Sequence, residues 1–275
     1  MIAPIERVSV EPSRRCAKGC SFCYNGSGPA FDGTWSVADL VELAASCAAG
    51  GVRAVSFGGG EPLEYAGIND VLRALDGVLF RSLTTNGLLL DDPGVRAALL
   101  ASRPDKVHVW IHAPENSREV ARVIAQVTAL ATDGAHIGMT SGVNLLVRGS
   151  RLADARRATQ SMYDAGIDVS RIVFLPMRGD DTPSPEDVAG VAGGARFQSM
   201  TCLRACGKSP RFVSIDSDRR VAWCSYTRAR RTLSAPTYDA LIAALRGADD
   251  SGELGLIPCD GGNLVRRSAS SLPLA

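Results

Sequence analysis

The chain has 275 residues, of which 45% are hydrophobic and 21% charged, and its formal net charge is +1. These values are typical of a soluble globular protein with one large domain and a small appendage, and the near-neutral charge gives no support for nucleic acid or a membrane as partner. No segment has the length and apolarity of a membrane span, and the first residues lack the apolar core of a secretion signal, so we expect a cytoplasmic enzyme.

The first two-thirds of the chain alternates strand-like apolar runs with segments of helical periodicity. We predict strands at 6–10, 52–57, 79–84, 106–112, 137–147 and 171–176. Helices are predicted between them at 36–49, 67–76, 92–101, 117–133 and 152–165. Such alternation produces parallel strands joined by right-handed crossovers. Six strands predict an α/β fold with an incomplete barrel rather than a closed eight-stranded one.

Three cysteines, Cys16, Cys20 and Cys23, follow the first predicted strand within eight residues. Eight cysteines in a chain without a secretion signal favour metal or redox chemistry over disulfides. A [4Fe–4S] cluster normally takes four protein ligands, so three cysteines leave one iron open to an amino and a carboxylate group. A structural zinc site completed by a distant ligand, or three unrelated core cysteines, are the alternatives.

The segment Gly58-Gly59-Gly60-Glu61-Pro62 directly follows the second predicted strand. Because the carboxyl ends of parallel strands meet at one edge of a sheet, we expect this segment to lie beside the cysteines. Glycines allow a close approach of the backbone to a ligand, and a carboxylate among them suits a cationic amine. A tight turn with an exposed glutamate is the alternative.

The spacing of the three cysteines, with Phe22 before the last of them, and the later Gly-Gly-Glu-Pro segment together resemble the signature of the radical SAM superfamily. The resemblance implies a [4Fe–4S] cluster on the three cysteines and S-adenosylmethionine (SAM) at its open iron, with Glu61 holding the SAM ammonium group. It also implies that an electron from a flavodoxin or ferredoxin cleaves SAM to methionine and a 5′-deoxyadenosyl radical, which removes a hydrogen from the substrate.

The same resemblance assigns roles to three polar residues at later strand ends. Asn86, in Thr-Thr-Asn-Gly, lies where similar enzymes often have a polar residue after strand 3. Asn144 and Arg148 lie where relatives contact the ribose or the carboxylate of SAM. Each of the three is equally compatible with a turn or a solvent-exposed position.

The fourth predicted strand alternates apolar and polar side chains. Its apolar residues should face the covering helices, which leaves His108, Trp110 and His112 toward the barrel lumen. His112, near the carboxyl end, is a candidate for a substrate contact or a proton acceptor, and a hydrogen-bonded core histidine is the alternative.

Residues 178–196 are rich in proline, glycine and aspartate and include a short predicted helix that starts near Ser184. We place the domain boundary in this segment, with a barrel domain at 1–195 and a C-terminal domain at 196–275. Beyond it, 211–215 and 220–225 predict a hairpin, and 237–246 predicts a helix. Four of the eight cysteines lie in this last third: Cys202, Cys206, Cys224 and Cys259.

This arrangement resembles the SPASM or twitch extensions of radical SAM enzymes, which bind auxiliary [4Fe–4S] clusters around a hairpin. Arg219 replaces the glycine of their hairpin pattern, and the later multi-cysteine run of a full SPASM domain is missing. Four cysteines suffice for one cluster, so a small α+β twitch-like extension is favoured. Zinc would be held equally well by four cysteines, and whether all four ligate stays open. Cys47, on the apolar face of the first helix, is expected in the core.

The resemblance therefore implies a partial (β/α)6 radical SAM barrel with a twitch-like extension. The implied activity is that of an oxidoreductase that oxidises or otherwise modifies a small molecule or a peptide with help from a second Fe–S cluster. The alternatives are a peptide maturase, a glycyl-radical activase that acts on a partner protein, and a non-catalytic zinc protein.

Overall fold

The computed structural model describes residues 5–33, 35–194, 211–226 and 230–251. Its strands are Arg7–Val10 (β1), Ala54–Phe57 (β2), Phe80–Thr85 (β3), Lys106–Ile111 (β4), Thr140–Val147 (β5), Ile172–Pro176 (β6), Phe212–Ile215 (β7), Arg220–Ala222 (β8) and Arg231–Thr232 (β9). Its helices are Val37–Ala49 (α1), Ile68–Ala74 (α2), Pro93–Ala101 (α3), Ser117–Gly134 (α4), Leu152–Asp164 (α5), Pro185–Val191 (α6) and Tyr238–Ser251 (α7).

The strands of the described residues form one sheet in the order β6-β5-β4-β3-β2-β1-β7-β8-β9. Strands β1 to β6 pair in parallel with their sequence neighbours, as helical crossovers require. The predicted α/β fold with a six-stranded partial barrel is confirmed. None of the described helices combines the length and the apolarity needed to cross a bilayer.

The C-terminal extension continues the barrel sheet. Strand β7 pairs in parallel with β1, and β8 and β9 follow in antiparallel order. The predicted hairpin is therefore present, and β1 lies inside the sheet with a partner on each side. The domain limits 1–195 and 196–275 stay a prediction, since residues 195–210 lie outside the described part of the chain.

Helices α1 and α6 begin where their sequences indicate. Ser36 Oγ accepts from the backbone N–H of Asp39 at the start of α1, and Cys47 on the inner face of that helix is 1% exposed. Ser184 and Asp187 form a reciprocal capping box at the start of α6. The expected core position of Cys47 is confirmed.

Strand β4 presents two chemically different faces. Val107, Val109 and Ile111 are fully buried in the main hydrophobic cluster, which also includes the inner face of α4. The alternate positions carry His108, Trp110 and, just beyond the strand, His112. The side-chain alternation predicted for this strand is confirmed, and it brings His112 to the carboxyl edge of the sheet.

Candidate functional site

Residues 11–33, called the cysteine loop below, connect the carboxyl end of β1 to the segment before α1. The loop folds back on itself, because the backbone N–H of Cys16 donates to Gly28 O at 3.1 Å. A tight turn brings the backbone N–H of Cys23 to 3.1 Å from Cys20 O. All three cysteines are partly exposed.

The chemistry of these three thiols fits an iron–sulfur cluster. Burial raises the pKa of the Cys20 thiol, Lys18 lowers it, and Cys16 and Cys23 raise it further. A bound cation would oppose this rise and stabilise the sulfurs as thiolates. Within the described residues no three Cys, His, Asp or Glu side chains are arranged to hold a metal ion. A [4Fe–4S] cluster binds each thiolate at a different iron, so three cysteines on one loop match three of its four ligand positions.

The glycine segment after β2 packs against the start of the cysteine loop. A Cβ atom on Gly59, whose φ is +93°, would lie 2.6 Å from Cβ of Glu11, and one on Gly60 would lie 2.1 Å from Arg15 O. A Cβ on Gly58 would meet no atom within 4 Å. Gly59 and Gly60 are thus required by contact with the loop backbone, while their predicted contact with SAM stays a prediction.

Glu61 connects the glycine segment to the end of β3. Its carboxylate, in a residue that is 1% exposed, accepts from Thr85 Oγ1 at 2.7 Å, from Asn86 N at 2.7 Å and from Leu63 N at 3.1 Å. Burial raises the pKa of Glu61 to about 7, although these hydrogen bonds lower it. A carboxylate has about four acceptor positions, so room for one more donor remains. Binding of the SAM ammonium by Glu61 stays a prediction.

Asn86 contacts one of the cysteines directly. Its Nδ2 donates to Cys16 Sγ at 3.6 Å, and its Oδ1 accepts from Leu88 N at 2.8 Å. The side chain is fixed on both sides and is 5% exposed. The structure therefore places the predicted residues Glu61 and Asn86 next to the cysteine loop.

A second carboxylate, which none of the sequence motifs includes, supports the other side of the loop. Glu11 directly follows β1, is 2% exposed, and accepts from Tyr24 Oη at 2.9 Å and from Asn25 Nδ2 at 3.2 Å. Asn25 Oδ1 in turn accepts from Cys23 Sγ at 2.9 Å. Glu11 lies at a strand end, immediately before the cysteine loop, and this position is the sequence signal that indicates a role for it.

His112 is held by two residues, Lys18 and Glu119, to which none of the sequence motifs assigns a role. Lys18 Nζ lies 3.1 Å from His112 Nδ1 and 3.0 Å from Glu119 Oε1, and Glu119 Oε1 accepts from His112 N at 2.7 Å. An ammonium group has no acceptor, so Nδ1 accepts this bond and the proton of the neutral ring lies on Nε2. Burial and the Lys18 charge lower the pKa of His112 to about 3. These values argue against a proton acceptor near neutral pH and favour an N–H donor.

Phe22, His112 and Arg148 lie near one another. The ring centroids of Phe22 and His112 are 6.1 Å apart, and the guanidinium carbon of Arg148 lies 5.9 Å from the Phe22 centroid. Arg148 also forms an ion pair with Glu115. This group places a cation and an aromatic ring beside Cys23, and the roles of its members stay predictions.

Asn144 lies deeper in the lumen. It pairs in register with Trp110, and its Oδ1 lies 2.8 Å from Nδ1 of His108. Burial and the charge of Lys106 lower the pKa of His108 to about 4, so the neutral ring donates from Nδ1. The amide of Asn144 is thereby oriented with its oxygen toward His108, and its predicted contact with SAM stays a prediction.

The extension brings one of the later cysteines close to the cysteine loop. Cys224 is partly exposed after β8, and Tyr226 N lies 3.4 Å from its sulfur. The ring of Tyr226 packs edge-on against Tyr24, at a centroid distance of 5.4 Å. The predicted second ligand set stays a prediction, since three of its members lie outside the described residues: Cys202, Cys206 and Cys259.

Comparison with known families identifies the barrel. The sequence model described as the radical SAM superfamily matches residues 10–184. A probable GTP 3′,8-cyclase of Methanocella arvoryzae is 32% identical over 115 residues, which cover 42% of this chain and 36% of the relative. A probable GTP 3′,8-cyclase of Methanothermobacter thermautotrophicus is 29% identical over 142 residues, which cover 50% of this chain and 46% of the relative. The matched segments thus span less than half the length of these relatives.

Solved structures show the same fold at low sequence identity. The Streptococcus suis SuiB structure bound to precursor peptide SuiA has a TM-score of 0.67 at 14% identity and covers 92% of this chain and 70% of SuiB. The native anSMEcpe structure with bound AdoMet has a TM-score of 0.64 at 12% identity. The match covers 91% of this chain and 84% of anSMEcpe. These similarities establish the fold.

Proposed function

The chain belongs to the radical SAM superfamily, and from this premise we propose that it holds a [4Fe–4S] cluster through Cys16, Cys20 and Cys23 and cleaves SAM reductively. The observation that carries the proposal is that residues after β2 and β3 contact the cysteine loop, which itself follows β1. Asn86 after β3 donates to Cys16 Sγ, and Glu61 after β2 donates its backbone N–H to Arg15 O at 2.7 Å. When bound, the cluster and SAM supply electron-driven cleavage of a carbon–sulfur bond and a 5′-deoxyadenosyl radical.

The side chains around the loop support binding of SAM. Glu61 keeps one acceptor position for the SAM ammonium, and Arg148 provides a cation for its carboxylate. His112 presents an N–H donor and Asn144 an amide whose oxygen is already engaged. The electron donor in this proposal is a flavodoxin or a ferredoxin.

The proposed substrate is a small molecule. This choice is supported by curated relatives at 27–32% identity that are named GTP 3′,8-cyclase, whereas the structure with the precursor peptide SuiA is 14% identical. A peptide substrate is the second candidate, because this chain covers 70% of SuiB with a common fold. Peptide maturation predicts a dedicated peptide that stimulates SAM cleavage.

The proposed reaction class is oxidation of the substrate, with an auxiliary cluster on the later cysteines as electron acceptor. Cys224 supports this proposal, since Tyr226 two residues later packs on Tyr24 of the cysteine loop. Cyclisation without net oxidation is the alternative, because the curated relatives are named as cyclases. A glycyl-radical activase would leave the later cysteines unexplained.

The decisive experiment is anaerobic reconstitution with iron and sulfide, followed by dithionite and SAM. We expect a brown protein that forms 5′-deoxyadenosine, and we expect both properties to be lost in Cys23→Ala. Cys47→Ala is the matched control, because Cys47 is a core residue with 1% exposure and should leave the cluster intact. A colourless wild-type protein that carries zinc and leaves SAM unchanged would contradict the proposal.

A further inference from the structure

Arg178 lies two residues after β6, at the carboxyl edge of the sheet, and it forms no ion pair with any of the described residues. Its Nε and Nη1 are buried and have no hydrogen-bond partner in the part of the chain that the structure describes. The carboxylate of Asp181, three residues later in the chain, accepts from Ser150 N and Ser150 Oγ, both at 2.7 Å, and forms no ion pair with Arg178. Arg178 therefore differs from its neighbour Arg148, which forms an ion pair with Glu115.

The contact that Arg178 does make is with an aromatic ring. Its guanidinium carbon lies 5.1 Å from the ring centroid of Tyr226 in the extension. A cation–π contact uses the face of the guanidinium and leaves its N–H groups available in the plane. Buried polar groups in native proteins nearly always have partners, and an unpaired buried charge is costly.

The position of Arg178 relates it to the candidate site. Met177 N donates to Val147 O at 2.8 Å, which holds the end of β6 against the end of β5, where Arg148 lies. On the other side, Tyr226 packs on Tyr24, the residue after Cys23. The guanidinium thus stands at the edge of the sheet where parallel α/β folds bind ligands.

We propose that Arg178 binds an anionic group of the substrate, a phosphate or a carboxylate, at the carboxyl end of β6. A guanidinium matches both groups, since its N–H donors can form two parallel hydrogen bonds to two oxygens. Tyr226 keeps the guanidinium plane in place from the extension side. The inference rests on the proposed function and adds the charge class of the substrate and the residue that recognises it.

The test uses full-length reconstituted protein with SAM bound, so that the SAM carboxylate does not compete for Arg178. Inorganic pyrophosphate and glutarate serve as separate probes for phosphate and carboxylate, and their affinities are measured by anaerobic titration calorimetry at constant ionic strength. We expect one of the two probes to bind the wild type. Arg178→Gln should lower the affinity for that probe by about tenfold or more. Arg178→Lys should retain an intermediate affinity, because lysine keeps the positive charge but cannot form two parallel hydrogen bonds to the anion.

Arg157→Gln is the matched control, since Arg157 on α5 has 73% side-chain exposure and pairs with Asp154. Iron content is measured for every variant first, so that a folding defect is recognised. Equal affinities of the wild type and Arg178→Gln, or no binding of either probe to the wild type, would overturn the inference. A wild-type protein that fails to cleave SAM would instead refute the proposed function.

Discussion

The side-chain amide of Asn86 donates a hydrogen bond to Sγ of Cys16 across 3.6 Å. The two residues belong to different strand ends, and the bond joins the end of β3 to the cysteine loop. Hydrogen bonds to cluster sulfurs are one of the means by which proteins set cluster potentials. This contact therefore gives the barrel a direct influence on the proposed cluster.

Asn86→Leu removes the donor and keeps a similar volume. A sulfur that loses a hydrogen bond carries more negative charge, so we expect the reduction potential of the cluster to fall and SAM cleavage to slow. The potential is measured by a redox titration followed by electron paramagnetic resonance. The contact would have no electronic role if the fully loaded variant kept the wild-type potential.

Gly60→Ala should prevent assembly of the cysteine loop. The added Cβ would lie 2.1 Å from Arg15 O, so the backbone immediately before Cys16 would have to move. We expect the reconstituted variant to hold a small fraction of the wild-type iron. Gly58→Ala is the matched control, because its Cβ would meet no atom within 4 Å. Equal iron in both variants would contradict this account.

Lys18→Met should separate the cysteine loop from β4. It removes the cation from Glu119 and the donor from Nδ1 of His112. Glu119 would keep its bond from His112 N but lose its counterion, and Nδ1 of His112 would lose its donor, which together should cost about 1–3 kcal/mol of unfolding free energy, measured by urea denaturation. With the Lys18 charge gone, the lowered pKa of His112 should rise toward its ordinary value.

The activity of Lys18→Met should therefore acquire an additional ionisation on the acid side of its pH profile. Lys18→Arg should largely restore the wild-type profile. Lys106→Met tests specificity, since Lys106 begins β4 at the opposite edge of the sheet. A purely structural role for Lys18 would lower activity equally at every pH.

Ionisation of Glu61 should make the folded state less stable as the pH rises. Its pKa is raised from 4.5 to about 7 in the folded protein, so the folded state holds the proton more tightly than the unfolded state. The stabilisation is present below about pH 4.5 and is lost as the pH approaches 7, with a total change of up to about 3 kcal/mol. Glu61→Gln cannot ionise and should lack this component.

The measurement is the difference in unfolding free energy between the wild type and Glu61→Gln at pH 5 and at pH 7.5. Between pH 5 and pH 7.5 the wild type should lose stability relative to Glu61→Gln. A difference that does not change with pH would show that the Glu61 carboxyl titrates normally.

Cys224→Ala tests the second thiolate site. If Cys224 binds an auxiliary cluster, iron content should fall by about one cluster's worth while part of the SAM cleavage survives. Iron and sulfide assays with anaerobic activity measurements check both parts. Unchanged iron content would show that Cys224 is not a cluster ligand. Zinc in place of iron would favour a structural zinc site on the later cysteines.

Patterns local in sequence predicted much of the fold and part of the site. The alternation of β4 placed His108 and His112 on the lumen side, and the cysteine spacing with the glycine segment located the loop and its neighbour. Each of these signals is carried by a few adjacent residues, so it can be read without knowing the path of the chain.

The contacts that fix the site depend on that path. Lys18 reaches His112 and Glu119 across 94 and 101 residues of sequence, and no local pattern encodes this pairing. The same holds for Asn86 and Cys16, 70 residues apart. The glycines at 59 and 60 are predicted to approach a ligand, and the structure adds their contact with the loop backbone, which no local pattern indicates.

The pairing of β7 with β1 also bears on synthesis of the chain. β1 is synthesised before β7, and the two strands are separated by about two hundred residues of chain. Until β7 is made, one row of backbone N–H and C=O groups on β1 is open to other chains, as in any unprotected sheet edge. A product truncated after α6 would keep that edge permanently exposed, and such fragments are expected to self-associate.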